Sequence, residues 1–299
     1  MDAQTLDQLR IALDPASQVG LALALFMIMF SVALGLEVRD FKALLDRPRV
    51  YASGVVGQVI GLPLLTLALV FLISPPASIA LGMIVVAACP GGNVSNMMTY
   101  FSRGDTALSV ALTATSSVIA AFFTPAAILL WASLYPPTAS LLQSIEFNAI
   151  AFVLQTTALL AVPLGLGMST ARWAPNLAAR IRKPGAAIGA FILAVIVIVG
   201  TFDKTPKLLA ATGLILPPVI IHSSAAFALG AVIGALLKVG GPTRRALTFE
   251  IGLQNTGLAL VILLGQLEGL GGAAALTAVW GVWHLIAGGF MVWLYRRRS

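Results

Sequence analysis

The chain has 299 residues, of which 59% are hydrophobic and 10% charged, with a net charge of +7. A mean hydropathy of +0.98 on that composition excludes a sizeable soluble domain and marks an all-α polytopic membrane protein. The basic excess reads as positively charged loops rather than a nucleic-acid surface, and the single Cys89 excludes an intrachain disulfide or a cysteine metal cluster.

In chain order, residues 1–17 carry Asp2, Asp7 and Asp14 against Arg10 and lack the basic start of a cleavable signal. They read as a short interfacial or disordered N-terminal lead. Apolar runs able to span a bilayer follow at about 18–38, 50–73, 79–102, 104–134, 144–168, 184–202, 208–237, 245–266 and 272–295, nine in all. The breaks between them are short: Asp40 to Pro48, Ser74-Pro75-Pro76, Arg103-Gly104-Asp105, Tyr135-Pro136-Pro137, Arg172 to Pro184, Asp203 to Lys207, Lys238 to Arg245 and Glu268 to Gly272. Loops of that length imply one compact transmembrane domain over 18–299.

Nine spans with the N-terminus outside place 15 of the 18 Lys and Arg residues on the cytoplasmic side, leaving Arg10, Lys204 and Lys207 outside. The positive-inside rule therefore predicts a multi-pass protein of the cell inner (plasma) membrane with a cytoplasmic C-terminus.

The third span is interrupted by Pro90-Gly91-Gly92-Asn93-Val94-Ser95-Asn96. Proline removes a donor and two glycines follow it, so a helix is expected to break there. Irregular backbone at membrane depth survives where it is buried in protein or lines a cavity, and half-helix ends beside neutral oxygens are what secondary transporters use to hold ions and anionic solutes. A simple proline kink with Ser and Asn bonded to a neighbouring helix is the alternative. The eighth span holds Glu250-Ile251-Gly252-Leu253-Gln254-Asn255, also two helices from the end of its half. Paired interruptions in corresponding places predict an inverted repeat, about 18–134 and 144–295, with the four-span first half the short one.

Glu250 is an intramembrane carboxylate, costly without a partner, and no Lys or Arg shares a span centre with it. A bound cation, a proton and hydrogen bonds from other helices are the partners left open. The neutral oxygens at the breaks favour a hard cation, and Ser109 and Thr113, one turn apart on one face of the fourth span, add to them.

The stretch Ala88-Cys89-Pro90-Gly91-Gly92-Asn93-Val94-Ser95-Asn96-Met97-Met98-Thr99-Tyr100, continuing through Arg103-Gly104-Asp105-Thr106-Ala107-Leu108-Ser109 to Thr113, resembles a signature of the bile acid:sodium symporter family. So does Leu247-Thr248-Phe249-Glu250-Ile251-Gly252-Leu253-Gln254-Asn255-Thr256-Gly257-Leu258, and the likeness covers nearly the whole chain, including Gly57-Gln58 and Trp283-His284. The resemblance implies a core domain around two crossing discontinuous helices, a separate panel domain, and a sodium-coupled symporter importing an organic anion such as a bile acid or small carboxylate by alternating access. By motif position it implies two sodium ions. One would be held by Ser95, Asn96, Ser109, Thr113 and Glu250. The other would be held by Gln58, Glu250 and Gln254 with the carbonyls of Ile251 and Leu253. Asn93, Asn255 and His284 would line the solute site. Asn93 stands where some bacterial members carry Thr, and Leu285 follows His284 where some carry Asn, which leaves the solute's identity open.

The bilayer and the anion are the partners implied, with no protein partner and no nucleic acid. Two other readings compete. In a proton-coupled anion transporter Glu250 would titrate, but a proton needs one carboxylate and not several neutral oxygens around it. A hydrolase using Ser95 or Ser223 with a histidine lacks a GxSxG-type elbow, so no enzyme activity is expected.

Overall fold

A computed structural model describes residues 2–36, 47–145 and 148–297. Arg39, Lys42, Arg298, the last residues of the first expected span and most of the Asp40 to Pro48 break lie outside the described residues.

Among the described residues the regular elements are helical. They are α1 (Ala3–Gln8), α2 (Pro15–Ala33), α3 (Pro48–Val56), α4 (Leu62–Ile73), α5 (Ala77–Ala88), α6 (Asn93–Phe101), α7 (Thr106–Ser133), α8 (Pro136–Ser144), α9 (Ala149–Trp173) and α10 (Pro175–Thr201). After them come α11 (Thr205–Ala210), α12 (Thr212–Leu236), α13 (Gly241–Gly252), α14 (Thr256–Gly265) and α15 (Gly271–Arg297). A π turn, Gly57–Gly61, joins α3 to α4 without interrupting the span. Seven helical stretches are long and apolar enough to cross a membrane, consistent with a polytopic membrane protein. The two expected spans that carry Pro90 and Glu250 are each a pair of short helices, α5 with α6 and α13 with α14.

Short polar side chains fix several helix starts. Asp14 accepts from Ser17 N–H at 2.6 Å, Asp105 from Leu108 N–H at 3.1 Å and Asn148 from Ala151 N–H at 2.9 Å. Each satisfies a donor that the first turn leaves free. The Ser17 N–H also holds the Asp14 carboxyl below the usual carboxylate range.

Three expectations need correction. The lead is ordered: α1 buries Leu6 completely, and the Asp7 carboxylate accepts from Ala77 N–H (3.2 Å), Ser78 N–H (2.8 Å) and Ser78 Oγ–H (2.6 Å), capping α5 from a distance. Beyond it, Ile11 N–H donates to Gly269 and Gly271 N–H to Leu9, both at 2.8 Å. Second, the expected Arg172 to Pro184 break shrinks to Ala174, because Pro175 is a good first helical residue and Pro184 is absorbed inside α10. Third, the segment after Tyr135 is a further helix, α8, again opened by proline.

Helix α9 packs on both α2 and α7. Helix α2 packs chiefly on α9 and α10. Helix α12 packs on α13, α15 on α5 and α12, and α6 on α13 and α7. Gly230 and Gly234 let α12 approach α13 closely, since a Cβ at Gly230 would collide with the backbone of Leu247 and Thr248. Helix α5 is buried from Ser78 to Ala87, as a helix apolar on all sides should be. At one end of the bundle the Arg47–Asp105 ion pair (3.2 Å), the bond from Asp105 N–H to Pro242 O (3.0 Å) and that from Arg245 to Ser102 O (2.7 Å) tie the basic loops together. The Asp7 and Gly269 contacts lie at the other end of the helices they join.

Candidate functional site

The two interruptions meet. Gly92 and Leu253 are extended, Gly91 and Gln254 form an antiparallel bridge, and Asn255 N–H donates to Pro90 O at 2.9 Å. Backbone groups freed by the breaks thus satisfy one another inside the protein, which is the condition for irregular chain at this depth. The first turns of α6 and α14 lie at the meeting point, carrying the positive ends of their dipoles.

Glu250, in the last turn of α13, is 1% exposed. Its Oε2 accepts from Ser95 Oγ–H at 2.8 Å and Ser109 Oγ–H at 3.0 Å, and its Oε1 from Thr113 Oγ1–H at 2.6 Å. Asn96 Oδ1 lies 2.8 Å from Ser109 Oγ and 3.2 Å from Thr113 Oγ1, while Ser95 Oγ is also 2.7 Å from Gly92 O. Three hydroxyl protons therefore face four acceptors: both oxygens of Glu250, Asn96 Oδ1 and Gly92 O. Lone pairs outnumber protons in this buried cluster, and that chemistry can accept a cation. Gly91 is required here, because a Cβ at that position would run into the Glu250 carboxylate. The donors gathered here are hydroxyl, amide, carbonyl and carboxylate oxygens, the ligand type that suits a hard cation.

A second polar cluster lies at the same crossing. Gln58 Nε2, in the π turn, donates to Gln254 Oε1 (2.5 Å) and Cys89 O (3.2 Å), and Gln254 Nε2 donates to Ile251 O (2.8 Å). Gln58 Oε1 is buried without a partner. Gln58, Gln254 and Ile251 are thus brought together, and Leu253 lies in the extended stretch beside them. Among the described residues, Glu250 hydrogen-bonds to the hydroxyl cluster and to neither amide.

Asn93, Asn255 and His284 line one cavity of about 580 Å³ together with Gln254. Asn93 opens α6, Asn255 caps α14 by accepting from Leu258 N–H at 3.0 Å, and His284 Nδ1 bonds Trp280 O at 2.9 Å. His222 is buried elsewhere, bonded to Thr66 Oγ1 (2.8 Å) and stacked on Trp280. Among the described residues Ser95 bonds no histidine and the buried Ser223 Oγ has no partner, so neither forms a Ser–His pair with His222 or His284. The Gly92 carbonyl in the Glu250 cluster was not foreseen, since backbone acceptors leave no mark in a sequence.

The chain is similar to known proteins. The profile of the sodium bile acid symporter family matches residues 22–211. An uncharacterized sodium-dependent transporter, YocS, of Bacillus subtilis strain 168 is 32% identical over 278 residues, covering 91% of this chain and 81% of its own. The ileal sodium/bile acid cotransporter of Homo sapiens is 28% identical over 250 residues, 81% of this chain and 68% of its own. A probable chloroplastic sodium/metabolite cotransporter, BASS2, of Oryza sativa subsp. japonica is 29% identical over 237 residues, 79% of this chain and 54% of its own. These relatives are transporters, not enzymes. The chain belongs to the sodium bile acid symporter family.

Proposed function

We propose that this chain is a sodium-coupled symporter that imports an organic anion, a bile acid or small carboxylate, by alternating access. The observation that carries the reading is the buried Glu250 carboxylate ringed by Ser95, Ser109, Thr113 and Asn96, with more oxygen lone pairs than protons. The names of the bacterial and ileal relatives support sodium as the coupling ion.

One sodium ion binds Ser95, Asn96, Ser109, Thr113 and Glu250. A second binds Gln58, Gln254, Glu250 and the carbonyls of Ile251 and Leu253, once the Gln58–Gln254 bond opens. The anion occupies the cavity at Asn93, Asn255 and His284, near the positive ends of α6 and α14. Counting each broken pair as one crossing gives nine spans, arranged as inverted repeats over about 18–134 and 144–295. Helices α2, α9 and α10 form the panel and the remaining spans the core, with the solute between them. The basic end of the bundle faces the cytoplasm, in the plasma membrane, and the N-terminus faces outward.

Two sodium ions with one monovalent anion move one net positive charge inward per cycle. Each such charge gains about 2.3 kcal/mol per 100 mV of inside-negative potential, roughly a 50-fold bias in accumulation. Proteoliposomes given external sodium and radiolabelled cholate test the reading. Uptake should vanish when choline replaces sodium at fixed pH, and steady-state accumulation should rise with an imposed inside-negative potential. Uptake that persists in choline would assign the coupling to protons instead. Accumulation that ignores the potential would require one sodium ion per anion or a divalent solute.

A further inference from the structure

The cavity at the breaks does not end there. It shares Asn93 and Val32 with a smaller one of about 190 Å³, which Asn96, Thr113 and Arg182 also line. That one shares Gly35, Leu36 and Arg182 with a third, of about 750 Å³, at the α9–α10 junction. Three spaces in series thus run from the solute site toward the basic end of the bundle. Arg182 is the residue with an ionised side chain in the middle one, and it reappears in the third beside Arg172. The first space has no Lys, Arg, Asp or Glu in its lining.

Arg182 is an exposed residue of α10 that makes no ion pair with the described residues, and its guanidinium lies against Gly35, in the space a Cβ there would need. Lys183, the next residue, lines none of the three spaces.

We propose that Arg182 is a specificity-determining residue at the inner mouth of the solute path. Among the described residues it is the first fixed positive charge an anion meets on leaving the Asn93 cavity toward the basic end, and it selects anions over cations and neutral solutes in that passage. A positive charge beside a narrow space with low-dielectric walls raises the local anion concentration and lowers that of cations. On alternating access the same charge would receive the released carboxylate, which relieves the α6 and α14 ends of it. That anions are the transported solute rests on the function proposed above; the charge selectivity of the passage does not.

The test therefore uses neither sodium nor solute. Val110 lines the middle space and belongs to no proposed ligand set. In a protein carrying Cys89→Ala and Val110→Cys, the labelling rates of an anionic methanethiosulfonate (the ethylsulfonate) and a cationic one (the ethyltrimethylammonium) are compared in purified full-length chain. The anionic-to-cationic rate ratio should fall about tenfold on adding Arg182→Gln, recover with Arg182→Lys, and hardly change with Lys183→Gln. The Arg182 effect should shrink at 1 M KCl, where screening extends only about 3 Å. Equal effects of Arg182→Gln and Lys183→Gln, or no effect of either, would overturn the proposal. So would a thiol introduced by Val110→Cys that neither reagent modifies, in protein whose monodispersity and thermal transition match the parent. If the ratio responds while cholate uptake ignores sodium, the transport reading fails and the anion-selective passage stands.

Discussion

The hydroxyl cluster at Glu250 and the amide pair at Gln58 lie at the same crossing of broken helices, but they are built for different moments. In the first, every hydroxyl already points at the carboxylate, and a cation need only turn three protons aside. In the second, Gln58 and Gln254 bond each other and Ile251 O is occupied, so an ion can enter only after amide bonds open. A preorganised site binds without reorganisation cost, whereas one held closed by its own ligands binds late or only when its neighbour is filled. The difference orders the proposed ions: the Glu250 cluster loads first, and the amide site couples that event to the solute cavity, which Gln254 also lines.

Breaking the comparison takes the charge both sites are proposed to share. Glu250→Gln keeps the shape and should lower sodium-dependent cholate uptake at least ~100-fold while the protein still folds, because the cluster loses its only ionised group. Near-normal uptake by this variant would remove both ion sites. Gly91→Ala should act almost as strongly. The added methyl meets the carboxylate, and overpacking there costs about 1–3 kcal/mol, which becomes a sodium affinity roughly 5- to 150-fold weaker in a sodium-dependent thermal-shift titration.

Two further variants sharpen the comparison. Thr113→Val keeps the side-chain volume but removes one oxygen, worth about 1–1.5 kcal/mol, so half-saturation by sodium should move up about tenfold. Gln58→Ala should leave the first ion's thermal shift in place and reduce the Hill coefficient of sodium-dependent uptake from near 2 toward about 1, since that coefficient cannot exceed the number of coupled sites. If instead Gln58→Ala abolishes the thermal shift, the preformed cluster does not load on its own and the order is reversed.

Much of this site was legible because each feature has a local cause. Pro90-Gly91-Gly92 cannot continue a helix, and a carboxylate at 250 must find partners, so the break and the cluster could be placed from residue types alone. Ser109 and Thr113 followed from one turn of spacing, and both do bond Glu250. What escaped depends on contacts between distant segments. Asp7 looks like one more charge in a polar lead, and only the fold brings it to the free N–H groups of Ala77 and Ser78. Pro184 looks like a boundary because proline usually is one, yet Pro175 has already opened that helix. Arg182 counts as one basic loop residue among several, and nothing local tells an arginine on a loop from one that lines a passage.

The π turn at Gly57–Gly61 sets a phase along its span. Its Leu62 N–H reaches back to Gly57 O, five residues away, so the turn holds one residue more than an α-helix would. One extra residue rotates everything on one side of it by ~100° relative to the other. Before the turn, Tyr51 reaches α7, where its hydroxyl donates to Ala111 O at 3.2 Å and meets Thr115. After it, Thr66 reaches α12 and bonds His222. The span thus reaches α7 before the turn and α12 after it, and Gln58 sits in the wide turn between them. Deleting one residue at Val59 or Ile60 would be the smallest edit able to undo this: it would restore an unbroken α-helix and swing one of those two contacts off its partner. Such a deletion should therefore move Gln58 away from Gln254 while leaving every proposed ligand in the sequence.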